Sequence, residues 1–207
     1  MDRKKIQETL AQHVPAEAVH HCVLLWQELP FDFKLRKSRR SKVGDFTCRS
    51  NRAPQITINK DLHSFLFLMT YVHEVAHLRV HQEHGFRAEA HGDIWKAAFQ
   101  QLMTPLLREE IFPEPLLSGI RRHMASPKAS SFSDAALTEL FRSFDSRERN
   151  TILLSQIPEG SVFHLQGRWF TKGQLRRTRV LCREVKTKRQ YLVPADAAVT
   201  NTQLALL

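Results

Sequence analysis

The chain has only three cysteines among its 207 residues, Cys22, Cys48 and Cys182, and no two of them stand in a Cys-x-x-Cys pair. So small, odd and dispersed a set builds neither a disulfide scaffold nor a cysteine zinc ribbon, and reduced, structural thiols are expected. Also missing is any unbroken apolar run of the about 18 residues that a membrane-spanning helix needs. The opening Met1-Asp-Arg-Lys-Lys leads instead into an amphipathic pattern, so no membrane partner and a cytoplasmic location are expected. No internal repeat, helix-turn-helix or zinc-finger signature is found. Acid is scarce too: 21 Asp and Glu stand against 31 Lys and Arg, a net charge of +10. That surplus exceeds what solubility requires and makes nucleic acid a candidate partner without naming one.

What is present is enough apolar residue, 42%, for one core or one core with a small appended module. Residues 2 to 29 read as helix in two pieces broken at Pro15, with Ile6 and Leu10 in the first and Ala18, Cys22, Leu25 and Trp26 spaced three and four apart in the second. Alternating Phe31, Phe33 and Leu35 predict a strand, and Asp45-Phe-Thr-Cys and Gln55-Ile-Thr-Ile two more, together a small antiparallel sheet. From Leu62 the period changes to three and four, through Leu66, Met69, His73, His77 and Val80, which predicts a central helix. Gly85 permits a turn, and Ile94, Trp95, Ala98 and Leu102 predict a further helix. The stretch "ASPKASSFSD" reads as a linker, followed by a short helix around Ala135 to Phe144. From about Ile152 to Val199 the chain is rich in Val, Phe, Tyr and Thr and has no helical period, which predicts a small β-barrel-like module. The expected fold class is α+β, with a domain over 1–123, a linker and short helix over 124–150, and a basic β-rich module over 151–207.

The stretch "TYVHEVAHLRVHQEHGFRAEAHGDIW" holds five of the eleven histidines. Within it, His73-Glu74-Val75-Ala76-His77 is an HExxH pattern. On a helix it sets two imidazoles one turn apart, roughly 6 Å along the axis, where both reach one Zn2+. Glu74 beside the first histidine is then placed to act as a general base on an activated water. The competing reading, core histidines satisfied by backbone carbonyls, would leave three polar groups to be partnered on a greasy helix. A catalytic zinc needs a third protein ligand and an open position. His81 lies roughly 12 Å along the axis from His73, too far to share the ion, and His84 lies farther. His91, after the Gly85 turn, can fold back, and Gly92 beside it relieves crowding; Glu89 and Glu83 are the alternatives. A metzincin would need glycine at 80 and histidine at 83, where this chain has Val80 and Glu83.

Four features in order, "RKSRRSKVGDF", "QITINK", "VHEVAHL" and "AHGDIW", resemble the SprT-like zinc metallopeptidase domain over roughly residues 5 to 105. In that family an arginine- and lysine-rich strand ending in glycine precedes an Ile-x-Ile-Asn strand, the HExxH helix and a later His-Gly-x-x-Trp. The resemblance implies a zincin-like helical domain, His73, His77 and His91 as zinc ligands, Glu74 as catalytic base and proteins as substrates. Many members carry a cysteine zinc ribbon next, which this chain lacks; its tail, with "PKASS" and "LRRTRVLC", resembles bacterial members of the Bacteroidetes type. Eukaryotic relatives act in repair of DNA-protein crosslinks, an analogy that makes DNA-associated proteins candidate substrates.

Two basic clusters follow the same line. Arg36, Lys37, Arg39, Arg40 and Lys42 crowd one segment, and Arg176, Arg177 and Arg179 the tail, where Trp169, Phe170 and Tyr191 could stack on bases. DNA contact through these surfaces is one expectation; a solvated cationic surface, with the aromatics in the core of the tail, is the other. The strand Gln55 to Asn59 is a candidate edge for an extended substrate, with an ordinary internal or edge strand that meets no substrate as the equal alternative. The alternative function class is a non-catalytic, zinc-stabilised nucleic-acid-binding or scaffold protein.

Overall fold

The structure, a computed structural model, describes residues 2–39, 42–128, 134–145 and 151–201. It divides into two compact units, Met1–Phe141 and Arg142–Leu207. Both helices and sheets are present, as the α+β reading expects.

In the first unit, helix α1 (Arg3–Ala11) starts where the Asp2 carboxylate accepts the Lys5 N–H at 2.8 Å, and α2 (Ala16–Glu28) starts after Pro15. Strands β1 (Asp32–Arg36), β2 (Gly44–Thr47) and β3 (Gln55–Asn59) make a three-stranded sheet in the order β1-β3-β2. The sheet is mixed, not antiparallel as the sequence suggested: β1 runs parallel to β3, and only β2 runs against it. The reason lies in the connection between β1 and β2, which crosses past the position that β3 then fills. Arg39 in that connection donates to Asn59 Oδ1 at 2.8 Å and Thr57 Oγ1 at 3.0 Å, pinning the crossing onto β3. As the central strand, β3 is buried from Ile56 to Asn59 and has no free edge. The expectation that it offers an edge to substrate therefore fails, and the free edges belong to β1 and β2.

Alternation sorts the sheet into two faces. Phe33, Ile56, Ile58 and Phe46 face inward, against helix α3 (Ser64–His84), whereas Asp32, Lys34, Gln55 and Thr47 face outward. The run from Phe67 to Val72 is buried without interruption, so α3 is enclosed by its neighbours, and Tyr71 OH donates to the Cys22 carbonyl at 2.9 Å. Helix α4 (Asp93–Met103) packs on α3. Helix α5 (Leu116–Met124) occupies a stretch to which the sequence reading gave no element, and α6 (Ala135–Phe144) packs on it, with Leu140 and Leu137 against Gly119.

The second unit is one antiparallel sheet. Its strands are β4 (Thr151–Leu153), β5 (Val162–Leu165), β6 (Arg168–Arg176), β7 (Arg179–Glu184), β8 (Gln190–Pro194) and β9 (Ala198–Asn201), in the order β4-β9-β5-β6-β7-β8. It wraps a core of Leu154, Ile157, Phe163, Phe170, Val180, Cys182, Val193 and Val199. Among the described residues no closed barrel forms: β4 has three residues and pairs with β9, and β8 ends at Pro194, which has no N–H to extend a ladder. No helix among the described residues is long and apolar enough to cross a membrane.

Candidate metal centre

The helical repeat of α3 puts His73 and His77 on one face with their Nε2 atoms 3.2 Å apart. Gly85, at φ +63°, ends the helix, a single 3-10 turn over Gly85–Arg87 reverses the chain, and His91 returns toward the pair in the left-handed region at φ +64°. Its Nε2 stands 2.9 Å from that of His77 and 3.3 Å from that of His73. Gly92 sits close to its own turn: a β-carbon there would lie 3.1 Å from Glu89 Cβ, so Glu89 would have to shift by a few tenths of an ångström. Glu89 is exposed and Glu83 pairs with Arg79 at 3.1 Å, so neither joins the cluster. His81 packs against Phe46, with ring centres 5.7 Å apart, and His84 lies 3.8 Å from Glu83.

The three half-buried imidazoles fit a cation. A neutral imidazole nitrogen is either a donor or an acceptor. Of three mutual contacts among three such atoms, at least one must therefore set like against like. Protonation offers no relief: burial pulls His73 down to about 3 and His77 to about 4, helped in each case by the neighbouring imidazoles, and burial lowers His91 as well. The atoms remain lone-pair donors converging on one point. A tetrahedral ion bound at about 2.0–2.1 Å needs such nitrogens roughly 3.3 Å apart, close to the spacing found. His73, His77 and His91 thus form a site that can hold a metal ion.

Trp95 forms the back wall. Its ring centre is 4.7 Å from His73, 5.2 Å from His77 and 4.6 Å from His91, and Phe99 stacks behind it at 5.0 Å. One rigid, buried indole thus limits the rotation of all three imidazoles. The sequence reading took Trp95 as a helix-face residue and as the last position of the His-Gly-x-x-Trp feature, but gave it no role at the site.

Glu74 is buried and turned toward β2, where its carboxylate accepts the Phe46 N–H. Burial is the main cause that raises its pKa to about 8, and Asp45 adds to it; the Phe46 amide, Arg39 and Lys42 act in the other direction. A carboxyl group so poised exchanges a proton near neutral pH, which is what a general acid-base residue must do. His123, on α5, is also buried; its Nδ1 lies 3.1 Å from Asp134, its Nε2 has no partner among the described residues, and its charge would oppose protonation of His73. Nothing in the sequence pattern singled it out.

The basic run divides. Arg39 is committed to β3 as described, whereas Arg36, Lys37 and Lys42 stand exposed, Lys42 in a surface pair with Asp45 at 2.7 Å; Arg40 lies outside the described residues. Arg176, Arg177 and Arg179 all sit exposed at the hairpin between β6 and β7, with Arg177 at φ +54°. Of the three tail aromatics considered for stacking, Phe170 is buried, Tyr191 lies half-buried under the Arg168 guanidinium at 4.5 Å, and Trp169 is 43% exposed against His164. The core reading holds for Phe170 and fails for Trp169, because alternation along β6 sends the two to opposite faces.

No protein-family model, no curated protein and no solved structure matches the chain.

Proposed function

We propose that the protein is a zinc-dependent metallopeptidase of the SprT-like type, zincin-like in its first unit, that hydrolyses peptide bonds in protein substrates, with DNA-associated proteins the candidate class. The observation that carries the reading is the convergence of His73, His77 and His91 within one helix-turn-helix segment that also bears the buried Glu74. Imidazole ligands suit several divalent ions, and zinc is the choice from the HExxH pattern.

When bound, Zn2+ supplies Lewis acidity that activates a water and polarises the scissile carbonyl. The protein's own groups do the rest. His73, His77 and His91 would hold the ion, and Trp95 restrains their rings. Glu74 takes the proton from the attacking water and returns it to the departing amine, while the Phe46 amide orients its carboxylate. The free edge of β2, which carries that amide, borders the reaction centre and suits an extended peptide better than the central β3. The reading takes the cytoplasm as the place of action, in keeping with three free cysteines.

The alternative, a non-catalytic zinc-stabilised nucleic-acid-binding or scaffold protein, fits less well because a structural zinc is usually closed by four protein ligands. Here the cluster among the described residues has three. The test is metal content and cleavage of a DNA-bound protein in one preparation, wild type beside Glu74→Gln, with and without single-stranded DNA. One zinc in both and cleavage by wild type alone supports the peptidase. One zinc in both with no cleavage by wild type supports the alternative.

A further inference from the structure

We infer that the outward face of the three-stranded sheet is a groove for the phosphodiester backbone of single-stranded nucleic acid, centred on Arg36, Arg49 and Arg52. None of these residues belongs to the metal centre, so the inference goes beyond the peptidase reading and stands or falls separately from it.

The groove has a volume of about 790 Å³. Its floor is the polar row Asp32, Gln55 and Thr47, which three strands contribute in register, with Lys34 one step along β1. One side is the connection between β2 and β3, which brings Arg49 and Arg52; the other is the end of α2, which brings Trp26. Four cations thus meet one carboxylate. Lys34 Nζ is held by Asp32 at 2.7 Å and Gln55 Oε1 at 2.8 Å, which neutralises the only acid present. The guanidinium groups of Arg36, Arg49 and Arg52 make no hydrogen bond or ion pair among the described residues. The three arginines are exposed and carry like charge around one concavity, a positive field that attracts an anion. Each offers a fork of donors that matches phosphate oxygens.

Two further observations favour a single strand. The cations line a concave surface between a helix end and a loop, which a flexible single backbone can follow. Trp26 is half-buried, and its Nε1–H donates to the Phe31 carbonyl at 2.9 Å, so its ring is held as a fixed wall beside the cations. An aromatic face next to a backbone-binding groove stacks any base, which gives binding without sequence preference. The sequence hid this surface because its charges come from separate segments, whereas the conspicuous run from Arg36 to Lys42 is partly consumed inside the fold.

The test is binding of a fluorescent oligothymidylate, followed by anisotropy across a salt series, on Glu74→Gln protein so that hydrolysis plays no part. Arg49→Gln/Arg52→Gln should bind about ten-fold more weakly, and the slope of log K against log salt should fall by about 1.4, two single-strand contacts at about 0.7 each. An unchanged metal content and melting temperature would show that the variant is folded. Equal affinity and slope in the parent and the double variant would overturn the inference. So would tighter binding of a duplex of the same length that the same substitutions weaken. Failure here leaves metal content and cleavage by wild type untouched, and loss of cleavage alone leaves this binding untouched.

Discussion

Gly44 stands directly against Glu74: a β-carbon at Gly44 would lie 2.4 Å from Glu74 Oε1 and 2.6 Å from Thr70 Cγ2. The edge strand β2 and helix α3 therefore meet at a point where only a hydrogen fits, and this close approach lets the Phe46 amide reach the carboxylate. Gly44→Ala should push the carboxylate off that amide while leaving the three histidines in place. The expected outcome is metal content equal to wild type and a turnover rate lower by about 10²-fold, the low end of what a positioned general base contributes. Wild-type turnover in the alanine variant would show that the contact is not needed for the chemistry.

The metal centre predicts its own stability signature. An ion bound only by the folded chain stabilises it by mass action, about 2.7 kcal/mol at a concentration 100 times its dissociation constant. A chelator should lower the melting temperature of wild type, and His77→Ala or His91→Ala should remove both the metal and the sensitivity to chelator. His81→Ala, whose ring packs on Phe46 away from the cluster, should keep both. One tightly bound zinc in His91→Ala would mean that this histidine is not the third ligand.

Much of this centre was readable before any coordinates, for physical reasons that differ by residue. His73 and His77 follow from the helical repeat alone. His91 needed a reversal, which Gly85 signalled and which favoured it over Glu89 and Glu83, and a left-handed backbone at a non-glycine position, which no pattern in the sequence carries. The elements of the first sheet were legible from alternation, yet its strand order was not. The parallel pairing of β1 with β3 depends on a crossing pinned by Arg39, and in the sequence Arg39 looks no different from Arg36. The same blindness made Arg39 and Lys42 look like free cations. The edge assigned to Gln55–Asn59 failed because burial on both sides is a property of sheet order, which a single strand's pattern does not carry. In the tail, strand content was legible, whereas closure is decided by whether the first and last strands can pair.

Gly173 marks a second close approach. It lies within β6 at an irregularity in the pairing with β7, and a β-carbon there would stand 2.5 Å from the Leu181 carbonyl oxygen. A backbone atom cannot rotate away as a side chain can. Gly173→Ala should therefore destabilise the second unit by about 1–3 kcal/mol, the usual cost of overpacking. Denaturant unfolding followed by the fluorescence of Trp169 would show it, read on a Trp26→Phe/Trp95→Phe background. An unchanged midpoint would mean that β7 shifts without cost.

Acid should loosen the second unit through one carboxylate. Glu184 is buried at the end of β7, where it accepts Arg168 Nε–H at 2.7 Å and the Thr187 hydroxyl. These hydrogen bonds, the arginine first, depress its pKa from 4.5 to about 2. Arg168 is raised in turn by the same carboxylate and by Tyr191, over whose ring it lies. A group depressed in the folded state binds protons more readily when unfolded, so the stability it contributes is complete above about pH 4.5 and is lost as pH falls toward 2. His73 and His77 of the first unit also titrate in acid, which makes the comparison with Glu184→Gln the informative one. The melting temperature of wild type should fall toward that of the glutamine variant between pH 4.5 and 2, and the two should differ by a constant amount above that window. Parallel curves throughout would mean that the Arg168 pair contributes nothing to folding that depends on the charge of Glu184.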